Sequence, residues 1–430
     1  MGAGMFIESI TLHYLKDFRC VGALCSDSCC TGWGIALSDD DHRTLQRYLS
    51  TSAAGEALLR GNIVTTLDGE GREHHSIALR GDASCSFLTR DRWCSLQQRD
   101  GEPVLPRLCS RFPRIVSIVG QRLEISATLA CPETARRCLL DPLAMTMVPM
   151  PEGMIADNIP HNFFINLHHG NPYIAQFDRV RAELFLLCRL NDYPLATKLF
   201  FISYFASRIG SFFNSGGHDD PSSALNQEFI HINRPGIRQE VHHQFSRIAL
   251  SEKKCMELIA QVMDAGFSQA GTPSFRALLI RSLVGYGADA NLHGVAIGID
   301  RILANYQDAK RFWSAEFPRE LDQYLTHYVV NHLMSNPYIK EANLLSYIRE
   351  LLVFVAVFKF ILFGLLAGER NVMEKNREEK TSILEQHAVH AMQQFSKSIG
   401  HNPKLLDHVR SKIEAQGMNT LPHMVFLIQF

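Results

Sequence analysis

The stretch FRCVGALCSDSCCTGW, residues 18–33, places four cysteines within eleven consecutive positions, and two of them are adjacent. The chain has 11 cysteines, and nine of them precede residue 139. Four cysteines crowded on a glycine-containing loop are typical of metal or cluster binding, because free backbone geometry lets several thiolates turn toward one centre. The sequence therefore predicts a cysteine-rich module over residues 1–145.

Composition limits the functions that this module can serve. The chain has 430 residues, of which 46% are hydrophobic and 20% charged, so it can bury a full core. The formal charge of -1 gives no electrostatic reason to expect nucleic acid or a membrane surface as a partner. Glu8, His13 and Lys16 interrupt the N-terminal segment, which therefore does not resemble a secretory signal. We expect a cytoplasmic protein, in which thiols stay reduced and serve as ligands rather than disulfides.

The secondary structure changes character along the chain. Two β-branched runs flank Gly120-Gln121 and predict a hairpin, and capping residues predict a short helix that begins near Asp39 to Asp41. Residues 147–162 contain three prolines and suit a connection. Apolar residues then recur with helical spacing, which predicts an α-helical domain over residues 160–430. The expected fold is mainly α with a small α+β part.

One apolar run, Leu351 to Gly368, is long enough to raise the question of a membrane helix. Lys359 lies at its middle, and a charged residue there would cost about 2.5 to 3.5 kcal/mol on insertion scales. Charged residues also bound the run at both ends. We therefore expect a buried core helix and no membrane partner.

Further ligands must come from segments distant in sequence, at Cys85, Cys94, Cys109 and Cys131. Thiolates without histidines at zinc-finger spacing favour zinc or an iron–sulfur cluster over calcium or magnesium, which prefer oxygen. Adjacent side chains diverge on a regular strand, so either the loop at Cys29-Cys30 is strongly bent, or one of the two serves another role. Three other cysteines are expected to be small buried hydrophobic residues, namely Cys138, Cys188 and Cys255.

The cysteine segments resemble a known family. FRCVGALCSDSCCTGWGI, CSFL, WCSLQQRDGEPVLPRLCSRFPR and LACPETARR look like the flagellin lysine-N-methylases, whose N-terminal module is related to zinc- or iron-chelating CxxCxxCC proteins. In the helical part, YLTHYVVNHLM and LLVFVAVFKFILFGLLAG are similar to the C-terminal segments of that family. The resemblance spans most of the chain and is least distinctive over residues 215–300.

The resemblance implies an enzyme that transfers methyl groups from S-adenosylmethionine to the ε-amino groups of surface lysines on flagellin, in the cytoplasm before export. It also implies a 4Fe-4S cluster held by N-terminal cysteines, with zinc as the alternative metal. The cysteines that match the family pattern are Cys20, Cys25, Cys29, Cys30, Cys85, Cys94, Cys109 and Cys131. The shorter chelating relatives favour cluster ligands drawn from Cys25, Cys29, Cys30, Cys85, Cys94 and Cys109.

No site for the methyl donor can be assigned from motifs. Radical enzymes that use S-adenosylmethionine carry C-x3-C-x2-C, but Cys30 breaks the second spacing, and no strand is followed by G-x-G-x-x-G. Arg111 and Arg114 could each contact a carboxylate of the donor or form a structural salt bridge. Two alternative functions stay open: a non-catalytic, zinc-stapled interaction protein and a cluster-bearing redox or carrier protein.

Overall fold

The structure is a computed structural model that describes residues 8–155, 161–214, 221–248, 252–269, 273–288, 298–341, 343–398, 411 and 421–430. Helices dominate it, and short strands occur only before residue 166 among the described residues. The strands are β1 Glu8–Leu12, β2 Ile35–Leu37, β3 Ile63–Leu67, β4 Glu73–Ile77, β5 Arg114–Val119, β6 Arg122–Ala127, β7 Met147–Pro149 and β8 Phe163–Ile165. The predicted fold class, mainly α with a small α+β part, is confirmed.

The helices fall into two groups along the chain. Short ones lie between the strands: α1 Asp39–Leu49, α2 Ala53–Asn62, α3 Ser95–Asp100, α4 Arg107–Arg111 and α5 Pro132–Leu140. The rest follow the last strand: α6 Pro172–Ala175, α7 Phe177–Cys188, α8 Leu195–Asn214, α9 Pro221–Ile232, α10 Pro235–Ser246, α11 Glu252–Gln269, α12 Pro273–Gly285, α13 Ile299–Glu316, α14 Pro318–Ser335, α15 Leu344–Ala367, α16 Arg377–Ser398 and α17 Leu421–Gln429.

Local sequence signals are realised as expected. Strands β5 and β6 form an antiparallel hairpin around Gly120-Gln121, and Gly120 has a φ of 58°, which suits glycine at the first central position of a tight hairpin turn. Helix α1 begins at Asp39, where the Ser38 hydroxyl accepts a hydrogen bond from the Asp41 N–H and the Asp41 carboxylate accepts one from the Ser38 N–H. Both predictions are therefore confirmed.

The strands form two separate sheets. The larger has the order β7-β1-β6-β5-β8, in which β1 runs parallel to β6 and β8 runs parallel to β5. The smaller has the order β2-β4-β3 and is antiparallel. Each sheet is associated with its own hydrophobic cluster.

These clusters show how the cysteine-rich segment is attached to the helices. The smaller cluster contains buried residues from Ile35 to Val104, and several cysteines pack against it. The larger cluster joins β1, β5, β6 and α5 to the long helices. The described part of residues 1–145 and the helices beyond 160 thus share part of one core. The division of the chain into two domains stays a prediction.

Helix α15 contains the apolar run and forms the centre of the larger cluster. It is long and apolar enough to cross a membrane, but 83% of its most apolar window is buried inside the protein. The Lys359 residue as a whole is partly exposed on this helix. Burial of its ammonium group, together with repulsion from Lys310, lowers the pKa of that group. The helix therefore packs as the expected core helix.

Candidate metal centre

The cysteine loop, which we define as residues 20–34, is bent by glycines. Gly22 begins a short 3-10 turn with a φ of 55°, and Gly32 has a φ of 87°. Both angles lie in the left-handed region that favours glycine. A Cβ atom on Gly22 would overlap the indole ring of Trp93, so no larger residue fits there without displacing that ring.

Folding brings the eight predicted cysteines around one cavity of about 330 Å³. Its wall contains Cys20, Cys25, Cys29, Cys30, Cys85, Cys94, Cys109 and Cys131. Cys20 and its neighbour Arg19 are exposed, so the cavity reaches the surface beside them. The lining also includes the rings of Trp33 and Phe112, whose centroids are 5.3 Å apart in an edge-to-face arrangement.

Different elements position the cysteines that lie outside the cysteine loop. The Cys85 N–H donates a hydrogen bond to the Cys30 carbonyl at 2.7 Å, which joins a second turn to the loop. Cys109 lies within α4, while Cys94 and Cys131 immediately precede α3 and α5. A thiol at the N-terminus of α5 faces the positive end of the helix dipole, which favours a thiolate.

The adjacent pair Cys29-Cys30 occupies a turn, not a strand, and both residues line the same cavity. The indole N–H of Trp33 donates to the Cys29 carbonyl at 2.6 Å and so holds the turn. A hydrogen bond from the Cys29 thiol to Cys30 raises the pKa of Cys29 and lowers that of Cys30. Of the two sequence alternatives, the strongly bent loop is the one observed.

Burial dominates the acidity of the other thiols. It raises the pKa of Cys85 and of Cys131 to about 11, and it raises the pKa of Cys25, Cys94 and Cys109 as well. These thiols are therefore protonated near neutral pH without a metal. A bound metal would have to displace the protons to obtain thiolate ligands.

Zinc and a 4Fe-4S cluster make different demands on the positions of their cysteine ligands. Within the part of the chain that the structure describes, no group of three His, Cys, Asp or Glu side chains is arranged to hold a metal ion. A single zinc ion needs its thiolates about 2.3 Å from one point. In a 4Fe-4S cluster, four cysteine thiolates bind at separate points around a group that is larger than one ion.

Asp27, in the middle of the cysteine loop, makes a contact that sequence reasoning missed. Its two carboxylate oxygens each accept a hydrogen bond from the Lys397 ammonium at 2.9 Å, and Gln393 and Gln394 of α16 donate to it at 2.7 and 3.0 Å. The Lys397 side chain is 8% exposed. Asp27 therefore fastens the loop to α16, and no local motif indicates this pairing.

Asparagine at Asp27 should loosen the loop without removing a cysteine. It would leave the buried Lys397 ammonium without its counter-charge, and we expect a loss of about 1 to 3 kcal/mol in local stability. Amide hydrogen exchange should then increase over residues 22–34. Asp17→Asn is the matched control, because the Asp17 carboxylate is 73% exposed and lies 3.9 Å from Lys16. Equal exchange in the two variants would contradict the role of Asp27.

Of the two arginines considered as contacts of the methyl donor, only one lines the cavity. Arg114 lines the cavity, whereas Arg111 is not part of its wall. Three pairs of adjacent histidines, His74-His75, His168-His169 and His242-His243, also lie outside the cavity wall. His74 contacts Asp68, and His242 contacts Thr197. The remaining cysteines are buried in the larger core, as expected, and lie away from the cavity: Cys138, Cys188 and Cys255.

Comparison with known proteins identifies the family of the chain. Residues 185–427, more than half of the chain, match the family described as FliB lysine N-methylase C-terminal domain. The chain is 33% identical to the flagellar biosynthetic protein FliU of Salmonella muenchen over 135 residues, which are 31% of this chain and 78% of FliU. No solved structure matches.

Two further relatives are larger than the matched region. The chain is 32% identical over 135 residues to a lysine-N-methylase of Salmonella choleraesuis (strain SC-B67) and to a lysine-N-methylase of Salmonella typhimurium (strain LT2). These residues are 31% of this chain and cover only 33% of each relative. The family match itself spans most of the helical region. The chain belongs to the FliB lysine N-methylase family.

Proposed function

We propose that this protein transfers a methyl group from S-adenosylmethionine to the ε-amino groups of surface lysines on flagellin, and that a 4Fe-4S cluster occupies the cysteine cavity. The observation that carries the proposal is the convergence of eight cysteines on one cavity in a member of this family. The names of the relatives, a flagellar biosynthetic protein and lysine-N-methylases, support the substrate and the reaction.

The donor set fits such a cluster. Soft thiolates are the usual ligands of iron–sulfur clusters, and the cavity wall offers more of them than the four that one cluster needs. The cysteines that would hold it come from Cys25, Cys29, Cys30, Cys85, Cys94 and Cys109. When bound, the cluster would supply Lewis-acidic, redox-active iron to the cavity.

The chain's own residues would enclose the reacting groups. A lysine amine has an ordinary pKa of about 10.4, so it must lose a proton before it can accept a methyl group. The rings of Trp33, Phe87 and Phe112 line the cavity, and by desolvating an entering ammonium group they would lower its pKa. The net reaction replaces one N–H by N–CH3 and releases S-adenosylhomocysteine and a proton. Alignment of nitrogen, methyl and sulfur would supply much of the rate.

Flagellin from the same organism provides the direct test. Protein purified without oxygen, with its iron and acid-labile sulfide measured, is incubated with reductant, S-adenosylmethionine and flagellin. We expect mass increases in steps of one methyl group, confined to exposed lysines. A short lysine-containing peptide should react poorly, because folded flagellin supplies docking contacts that we place in the helical region.

Three outcomes would contradict the proposal. Unmodified flagellin after reaction with cluster-replete protein would exclude the methylase. A colourless protein with one zinc ion and no acid-labile sulfide would favour the zinc-stapled interaction protein. Bound iron without binding of S-adenosylhomocysteine in an anaerobic calorimetric titration would favour a redox or carrier protein.

A further inference from the structure

Arg114 is a cation in the cavity wall that lacks an ordinary partner. It begins β5, lines the cysteine cavity and is partly buried, with its guanidinium carbon 5.5 Å from the centroid of the Phe18 ring. Its Nε atom is buried and has no hydrogen-bond partner among the described residues. Buried charged donors are normally paired, because an unpaired one costs about 1–3 kcal/mol or more. This guanidinium is therefore poised for a ligand.

The carboxylates in the same wall do not neutralise it. Asp27 is paired with Lys397, as described above. Glu133 accepts from Arg136 and Arg137 at 2.8 Å, so its oxygens are already occupied. Two of the three carboxylates in the wall, Asp27 and Glu133, are thus paired with other cations.

Glu102 is the third carboxylate of the wall, and it is exposed. It forms no ion pair with Arg114 within 4.0 Å in the described residues. Burial lowers the pKa of Arg114, and attraction to Glu102 only partly offsets this effect. An anionic group entering the cavity would therefore meet a desolvated guanidinium that no protein carboxylate covers.

The shape of the guanidinium and the cavity define the anion. Arginine binds a carboxylate through two parallel N–H donors. The remainder of the wall combines thiols with aromatic rings such as Trp33 and Phe112. A suitable ligand is therefore a small molecule with a carboxylate at one end and a flat, weakly polar group at the other.

We propose that Arg114 binds the carboxylate of the methionine part of S-adenosylmethionine. The inference rests on the proposed function, since it takes the methyl donor as the ligand, and it assigns the donor to the cysteine cavity. Arg114 is then a donor-binding residue that fixes the sulfonium end relative to the thiols. If the guanidinium only offset the negative charge of a thiolate-bound cluster, its removal would lower the iron content and leave the preference for the ligand carboxylate unchanged.

The experiment measures binding rather than turnover. S-adenosylhomocysteine is titrated calorimetrically into anaerobic protein, and iron and acid-labile sulfide are measured in each variant. Arg114→Met should weaken binding about 10- to 100-fold, as expected for loss of a charge-assisted pair, at unchanged iron content. Arg114→Lys should recover part of the affinity, because it keeps the charge but loses the two-donor fork. Arg60→Met, an exposed arginine that does not line the cavity, should change affinity less than about twofold.

A second ligand isolates the carboxylate. S-adenosylhomocysteine that lacks its carboxylate should bind the unchanged protein as weakly as the complete ligand binds Arg114→Met, and the variant should not distinguish the two ligands. The comparison of the two ligands on the unchanged protein does not depend on whether the Arg114→Met variant folds. If the unchanged protein bound neither ligand, the proposed function would fail.

Two other results would overturn this inference alone. One is equal affinity of the unchanged protein for the two ligands. The other is loss of iron in Arg114→Met with the preference for the carboxylate retained, which would assign the guanidinium to the cluster.

Discussion

Serine in place of Cys29 or Cys109 should remove most of the iron from the protein. Both thiols line the cavity, from two segments that are distant in sequence, and a serine oxygen is a poor substitute for a soft thiolate. Because the bound group would join segments distant in sequence, the same variants should also unfold at lower temperature. A group present at a thousand times its Kd contributes about 4 kcal/mol, which sets the scale of the loss.

The matched controls are cysteines outside the cavity. Cys188→Ser and Cys255→Ser change residues buried in the larger core, and they should leave the iron per folded protein unchanged. Iron and sulfide assays on protein purified without oxygen, together with thermal unfolding, make the comparison. The same iron content in all four variants would show that these cysteines are not ligands.

Alanine in place of Glu124 should cost about 3 to 5 kcal/mol of the free energy of unfolding. The Glu124 side chain, in β6, is 1% exposed and accepts hydrogen bonds from Arg181 of α7 at 2.6 and 2.7 Å and from Arg122 at 2.7 and 2.8 Å. The Arg181 side chain is 4% exposed, and without Glu124 it keeps only Asp178 as a charged partner among the described contacts. Removal of one member of a buried pair leaves the other charge uncompensated, which is the larger part of the expected cost.

Chemical denaturation of three variants tests this ion-pair network. Glu56→Ala is the control, because its side chain is 47% exposed and it pairs at 3.5 Å with the exposed Arg60 one helical turn away. That pair should contribute no more than about 0.5 kcal/mol. Glu124→Leu combined with Arg181→Leu should recover part of the stability, since no buried charge is then left alone. A loss for Glu124→Ala no larger than that for Glu56→Ala would refute the argument.

Residues close in sequence were enough to predict the local elements. The hairpin depends on Gly120 and its β-branched neighbours, and the start of α1 depends on Ser38 and Asp41. Helix α15 follows from an apolar run that is interrupted only by Lys359 between Leu351 and Gly368. Each of these signals acts over a few residues, through backbone geometry, capping or burial, so it can be read without knowing where the rest of the chain lies.

The sequence also determined which residue types would form the site, but only the tertiary structure decided their arrangement. Eight cysteines spread over residues 20–131 meet at one cavity, and Arg114 faces it while Arg111 does not. The pairing of Asp27 with Lys397 joins residues 370 positions apart. Such contacts depend on how helices and sheets pack, and packing is set by the sum of many weak interactions along the whole chain, which no local spacing records.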